Sequence, residues 1–210
     1  MENTTKWKIE IFFSQFPLTK FKKGEAMLSA GSDPGGVFFL QNGFVRQFLF
    51  TLDGSELTLH FFKSGSFFPL FWAINNLPNR FDYQAITDTE VRIAPKDKFI
   101  DLIKNDSEIL LNLTGRLLFG LDGLLTRVES LASRNARQRT IGIIHFLGKH
   151  FGNQKGNCLN LTYPFTHEDI SNLTGLTRET TSREIEHLSK TGLITVKNRL
   201  IFVPDIRKLR

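Results

Sequence analysis

The sequence predicts an α+β fold in three parts: an N-terminal antiparallel β-roll of jelly-roll type, one long helix, and a C-terminal winged helix-turn-helix. Three observations predict it. Turn residues recur every 5 to 11 positions between residues 20 and 94. Leucines then repeat at helical spacing up to residue 131. The surplus of positive charge falls after residue 132: residues 133–210 carry 13 basic and 6 acidic side chains, against 12 and 11 in residues 1–105 and 2 and 4 in residues 106–132. A basic module beside near-neutral ones points to a polyanionic partner, with nucleic acid as the first candidate.

The roll is punctuated by Gly24, Gly31, Pro34-Gly35-Gly36, Asn42-Gly43, Asp53-Gly54 and Gly65. Between them lie short apolar runs, Val37 to Leu40, Phe44 to Leu52 and Leu57 to Phe62. Such runs between turn residues read as strands. Alternation in Leu57-Thr58-Leu59-His60-Phe61 buries one face, and Asp53-Gly54 between two runs reads as a hairpin turn. Closing the strands into a roll hides their edges. Sixteen of the 21 phenylalanines lie in residues 1–99, so the interior is aromatic. Phe61, Phe67, Phe68 and Phe71, with Trp72, either fill that interior or line a pocket for an apolar effector. The filled core is the simpler reading.

Residues 98–132 read as helix. Its stripe is Leu110, Leu113, Leu117, Leu121, Leu124, Val128 and Leu131, spaced 3, 4, 4, 3, 4 and 3; such spacing makes a helical seam. Leu111, Leu118 and Leu125 widen the apolar face beyond what a small roll covers, and an identical helix is the simplest partner. Gly115, Gly120 and Gly123 each cost about 1 kcal/mol relative to alanine in a helix interior. They either permit close approach or bend the helix.

In the basic module, Asn135 can cap a helix running through Ile141, Ile144 and Leu147 to Gly152, and a turn-rich stretch, Gly152 to Asn157, follows. From Phe165 to Leu188 the pattern is a helix-turn-helix. Thr166 and Asp169 resemble a capping box, Gly175 permits the turn, and Thr177 caps a second helix that ends before Gly192. Thr181, Ile185 and Leu188 share one sector, facing Ile170, Leu173 and Leu176. Glu179, Ser182, Arg183 and Glu186 lie opposite, with Arg178 on the flank. Arginine can donate twice to guanine, and a carboxylate can accept from cytosine. Arg178, Glu179 and Arg183 therefore suit a G·C-containing half-site in a major groove. The plainer alternative is a Glu179–Arg183 surface pair. Ile194 to Val203 reads as two strands around a turn, a wing whose tip carries Lys197 and Arg199 toward phosphate.

Composition excludes other classes. With 40% hydrophobic and 23% charged residues the chain is an ordinary globular protein, neither collagen-like nor disordered. The single cysteine, Cys158, supplies no internal disulfide, cysteine zinc site or four-cysteine iron–sulfur cluster. The longest nearly uninterrupted apolar run, Phe67 to Ile74, is shorter than the roughly 20 residues that cross a bilayer. The first residues lack a signal pattern, so no membrane partner and a cytoplasmic location are expected. No second histidine follows His167-Glu168 at the spacing of a zinc protease, and His145 and His150 do not share a helix face. Phosphate-loop, nucleophile-elbow and dinucleotide fingerprints are missing as well, so the chain is not expected to be an enzyme.

Over nearly its whole length the sequence resembles the Crp/Fnr family of bacterial transcription regulators, most specifically in Leu176-Thr177-Arg178-Glu179-Thr180-Thr181-Ser182-Arg183. The resemblance implies a cyclic-nucleotide-binding-like sensory roll over 1–105, a dimerisation helix over 106–134 and a DNA-binding winged helix-turn-helix over 135–210. It also implies a homodimer on double-stranded DNA, with half-sites similar to TGTGA or TTGAT in successive major grooves, and RNA polymerase as a further partner. By the same resemblance Arg178, Glu179 and Arg183 occupy base-reading positions, Ser182 matches the serine of the Fnr branch, and Thr177, Thr180 and Arg199 match phosphate-contacting positions. The sensory half departs from the pattern. Lys63 to Leu70 lacks the glutamate of the cyclic-nucleotide branch, and Asn79-Arg80-Phe81 has no hydroxyl beside its arginine. Leu124 and Leu125 stand where that branch has hydroxyl residues. Bound cAMP is therefore not expected. Neither is an iron–sulfur cluster, since the Fnr branch's N-terminal cysteines are missing, nor a haem, since His60 is alone in the roll. The competing reading is a small-molecule-sensing module whose C-terminal part recruits a protein.

Overall fold

The computed structural model describes residues 2–52, 54, 56–132 and 135–209. The chain divides into two compact units, 1–117 and 118–210, and the division falls inside the long helix.

The first unit opens with a helix that the sequence patterns do not predict, α1 (Glu2–Ser14). Eight strands follow: β1 (Leu18–Phe21), β2 (Ala26–Leu28), β3 (Val37–Asn42), β4 (Phe44–Phe50), β5 (Glu56–Lys63), β6 (Phe67–Phe68), β7 (Asp82–Ala85) and β8 (Thr89–Ala94). They form two four-stranded antiparallel sheets, ordered β1-β8-β3-β6 and β2-β7-β4-β5. Helix α2 (Leu70–Asn75) sits between β6 and β7, and α3 (Lys96–Asn105) follows β8. The strands expected to meet at Asp53-Gly54 do pair, from Phe44↔Lys63 to Phe50↔Glu56; Asp53 itself lies outside the described residues.

Strand β3 explains the phenylalanine content. Its side chains alternate between two cores. Phe38 and Leu40 join Leu28, Val45, Phe68 and Tyr83 in one cluster. Val37 and Phe39 join Ile9, Phe13, Phe99 and Ile103 of α1 and α3 in the other. A strand buried on both faces reads as a continuous apolar run. Thr5, Ile9 and Phe13, four residues apart along α1, are all buried, and the Phe13 ring stacks on Phe39 at 4.7 Å between centroids.

The same alternation favours the filled core over the effector pocket. Phe67 and Phe68 are neighbours on a strand, so they face opposite ways: Phe67 into the helix-covered cluster, Phe68 onto Tyr83 at 5.0 Å. Phe61 is buried and Phe71 is exposed on α2. The four rings therefore do not converge on one cavity.

The helix expected over 98–132 is two helices, α3 and α4 (Ser107–Ala132). Asp106 separates them. Its carboxylate accepts from the amides of Glu108 at 3.0 Å and Ile109 at 3.1 Å, a capping arrangement that starts a new helix. The Lys8 ammonium donates to it at 2.8 Å and holds the Asp106 carboxyl below the usual carboxylate range.

Leu113 is a second correction. It is only 4% exposed and packs in the roll's core beside Ile109 and Phe99, so it leaves the exposed stripe. Leu111, Leu118 and Leu125 are 74%, 60% and 56% exposed. With Thr114, Leu121 and Val128 they form a line spaced 3, 4, 3, 4 and 3, which is a heptad seam. Leu110, Leu117, Leu124 and Leu131 flank it, all exposed. By length and composition alone, Ser107–Glu129 is also long and apolar enough to cross a membrane, which the search for uninterrupted apolar runs does not detect. It is nonetheless interrupted by Arg116, Asp122 and Arg127, which all bond to other parts of the chain: Arg116 to the Gly65 carbonyl, Asp122 to Lys149, Arg127 to the Leu173 carbonyl.

The second unit holds the end of α4, α5 (Ala136–Phe151), β9 (Gly152–Lys155), β10 (Cys158–Leu161), α6 (His167–Thr174), α7 (Arg178–Lys190), β11 (Thr195–Lys197) and β12 (Leu200–Val203). Its sheet runs β11-β12-β10-β9. Asn135 caps α5 by accepting from the Arg137 amide at 2.9 Å. The turn-rich stretch after α5 proves to be strand β9 and the turn into β10; the exposed polar side chains of Asn153, Gln154 and Lys155 carry no apolar alternation to reveal it.

The helix glycines differ in role. A Cβ on Gly123 would stand 2.6 Å from the His150 ring and 2.8 Å from that of Phe146 on α5, whereas nothing lies within 4 Å at Gly115 or Gly120. Gly123 is the close approach of α4 to α5. Gly120→Ala should therefore raise stability by up to about 1 kcal/mol. Gly123→Ala should lower it by about 1–3 kcal/mol through overpacking. Urea melts at one fixed protomer concentration read both, and equal effects would contradict the assignment.

Candidate nucleic-acid interface

Helix α6 begins in a complete capping box. The Asp169 amide donates to Thr166 Oγ1 at 3.0 Å, and the Thr166 amide donates to Asp169 Oδ2 at 2.8 Å. At the other end Gly175 takes φ 65° and ψ 25° and donates to the Ser171 carbonyl at 2.9 Å. That left-handed residue turns the chain, and Thr177 starts α7 by accepting from the Thr180 amide at 3.2 Å. Ile170 and Leu173 of α6 and Thr181, Ile185 and Leu188 of α7 are buried where the two helices pack, while Leu176 is half-buried.

The opposite side of α7 is polar and open. Arg178, Glu179, Arg183 and Glu186 are exposed, with Ser182 half-buried between them. Two carboxylates are engaged within the unit. Glu184 accepts from Arg137 at 3.2 Å, and Lys190, 2.7 Å from Glu186, holds that carboxyl below its ordinary range. Among the described residues no ion pair joins Glu179 to Arg183. The Arg183 guanidinium instead reaches Thr180 Oγ1 at 3.5 Å, and Thr177 Oγ1 donates to the same hydroxyl at 3.0 Å. The first turn of α7 thus presents arginines, a carboxylate and hydroxyls at the positive end of a helix.

The β11–β12 hairpin stands as the wing. Its register ends at Lys197↔Leu200, leaving a two-residue turn, Asn198 at φ 51° and Arg199 at φ 63°. Both central residues have positive φ, as in the tight turn that suits twisted hairpins. Glycine would adopt that conformation at less cost than arginine. Lys197 and Arg199 are both exposed.

Between the starts of α6 and α7 and the hairpin lies a cleft of about 360 Å³, lined in part by Phe165, His167, Arg178, Val196 and Arg199. The geometry brings Arg178 and Arg199 to one cleft, which sequence spacing does not show. It adds His167, which sequence reasoning weighed only as a metal ligand. Its position at the first residue of the leading helix is the signal that could have found it.

In the roll, the stretch that would hold a cyclic nucleotide is otherwise occupied. Arg80 is exposed, with its guanidinium over the Phe81 ring at 5.3 Å. Asn79 is buried and donates to the carbonyls of Ser29 and Phe81, each at 2.8 Å. Phe62 packs on Phe68 at 5.0 Å and on Tyr83 at 6.0 Å inside the roll. Arg80 has no hydroxyl residue beside it, so these residues do not make the cation-and-hydroxyl pair that a cyclic phosphate needs. His60 packs edge-on against Phe62 at 4.7 Å.

A basic winged helix-turn-helix with an exposed arginine–carboxylate edge, on a chain that also carries a jelly roll and a long helix, defines a DNA-binding regulator. Comparison with known proteins gives the family. Residues 138–210 match the family model of the Crp-like helix-turn-helix domain, and residues 18–106 match that of the cyclic nucleotide-binding domain. The chain belongs to the Crp/Fnr family of transcription regulators. It is 27% identical over 185 residues to the fumarate and nitrate reduction regulatory protein of Yersinia pestis, covering 88% of this chain and 73% of that one. A probable transcriptional activator of Rhizobium leguminosarum bv. viciae is 29% identical over 127 residues, 60% of this chain and about half, 53%, of that protein. In fold the chain is similar to FixK2 from Bradyrhizobium japonicum, with a TM-score of 0.76, 20% identity and coverage of 92% and 95%. A CooA variant from Carboxydothermus hydrogenoformans gives 0.76 at 23% identity, covering 94% and 87%.

Proposed function

We propose that this regulator acts as a homodimer reading an inverted repeat in duplex DNA. Arg178, Glu179, Ser182 and Arg183 read bases, and Thr177, Thr180, Lys197 and Arg199 hold phosphates. The observation that carries this reading is the exposed first two turns of α7, whose Arg178, Glu179 and Arg183 have no ion-pair partner among the described residues. A carboxylate beside phosphates costs affinity unless it accepts from a base, which gives Glu179 a specific task. Dimerisation runs along the heptad line of α4, with Leu111, Leu118, Leu121, Leu125 and Val128 at its centre. A module that recruited a protein would offer apolar surface on α7, whereas the open side of α7 is polar. Acting on DNA places the protein in the bacterial cytoplasm, and a regulator of initiation there meets RNA polymerase. The roll is a sensory unit for an effector other than a cyclic nucleotide, since Arg80 has no hydroxyl residue beside it.

Selection from a randomised duplex pool should return a two-fold symmetric site with half-sites about one DNA turn, roughly 34 Å, apart. On that site Arg183→Ala should cost about 1–3 kcal/mol and relax preference at one base pair. Equal losses on selected and random duplex would contradict base reading. Arg199→Gly keeps the wing turn, since glycine accepts positive φ, while removing the charge. Its melting temperature should hold or rise, and the slope of log affinity against log salt should become shallower by about 0.9. An unchanged slope would remove Arg199 from the phosphate set. Leu118→Glu with Leu125→Glu should leave a folded monomer in sedimentation, and a dimer that survives both charges would move the interface elsewhere.

A further inference from the structure

Arg127 lies one turn beyond Gly123 on α4, away from the leucine seam. It is only 7% exposed. Its Nε–H donates to the Leu173 carbonyl and its Nη2–H to the Asn172 carbonyl, each at 3.1 Å. Both carbonyls belong to the last turn of α6, where no further helical amide remains to donate to them. A helix C-terminus is also the negative end of its dipole, which favours a cation. The planar guanidinium therefore grips the end of α6 along two fixed directions, something a lysine or an apolar contact cannot do. Leu131, one turn further along α4, lies near Gly175: a Cβ built there would stand 3.5 Å from its Cδ2. Arg127 and Leu131 thus meet the end of α6 and the turn after it, from which α7 springs.

We propose that Arg127 is a positioning residue that locks the helix-turn-helix to the dimer helix and so sets the spacing between the two recognition edges. The proposal rests on the dimeric DNA reading above and adds the link that makes it strict. Once one edge is bound, the local concentration of the second edge at its half-site depends on how firmly each α7 is held to α4. A loosened link spreads that concentration over many geometries. The loss then appears on a two-half-site duplex and not on a single half-site.

The test uses the full chain as wild type, Arg127→Met and Arg127→Lys. The probes are the inverted repeat selected by the wild type, the same repeat lengthened by one or two base pairs at its centre, and a duplex holding one half-site. Arg127→Met should remain dimeric in sedimentation and keep its half-site affinity. It should bind the repeat at least about tenfold more weakly, because avidity falls with effective concentration, and its penalty for altered spacing should shrink. Arg127→Lys, which keeps a cation and one donated bond, should fall between the two. Equal loss on half-site and repeat would make Arg127 a merely structural residue and overturn the proposal. So would loss of the dimer, or wild-type affinity and spacing strictness in Arg127→Met. If the wild type selects no repeat at all, the DNA reading itself fails, a result separate from a wild type that selects one and a methionine variant that behaves identically.

Discussion

Everything in this protein depends on the two-sided character of α4. One line of the helix is spent on its own chain: Ile109 and Leu113 pack in the first unit, and Gly123 and Arg127 approach α5 and α6 in the second. The opposite line, Leu111, Leu118, Leu121, Leu125 and Val128, stays in solvent. Isolated apolar residues on a surface need no explanation, but a contiguous apolar seam over several turns does. A second copy of the same helix satisfies it with knobs-into-holes packing and brings a two-fold axis with it. That axis is what would turn one recognition edge into a reader of palindromes.

The edge itself is placed by capping chemistry more than by core packing. The Thr166–Asp169 box starts α6, Gly175 bends the chain, and Thr177 starts α7. Each device satisfies amides or carbonyls that a helix end leaves open. Together they fix where Arg178 emerges. The buried side of α7 then needs only Thr181, Ile185 and Leu188, which leaves the rest of the helix surface for polar residues.

How much of this was legible in the sequence follows from how local each signal is. Caps and turn glycines act within four residues, so the helix-turn-helix and its faces could be read directly. The Asn135 cap and the wing were legible for the same reason. Strand alternation was legible as well, but not which core each face entered. Phe67 and Phe68 look like one aromatic patch in a sequence and are separated by a sheet in the structure. Leu113 and Leu111 are equally apolar, and only the roll's presence on one side of α4 buries the first and leaves the second exposed. Helix α1 was missed because its buried line, Thr5, Ile9 and Phe13, runs among exposed apolar residues, Trp7 and Ile11, that blur the periodicity. The break at Asp106 was missed because periodicity continues across it. Arg127 could not have been found at all, since its partners are main-chain carbonyls 45 and 46 residues away.

Three residues in the second unit occupy places that local preference resists. Arg127 is a buried cation, Arg199 holds a left-handed conformation that suits glycine, and Glu179 adds negative charge to a surface meant for an anion. Natural sequences keep such choices where something else is gained. Here the three share one line of action. Arg127 ties the dimer helix to the end of α6, Arg199 projects from the wing beside the cleft that α6 and α7 open, and Glu179 stands at the entrance of α7. Removing all three strains would give a more stable winged helix that still bound polyanions. On the DNA reading proposed above, it would lose the features that separate one duplex sequence and one half-site spacing from all others. On that reading stability and discrimination make opposite demands on this module, and its residues follow discrimination.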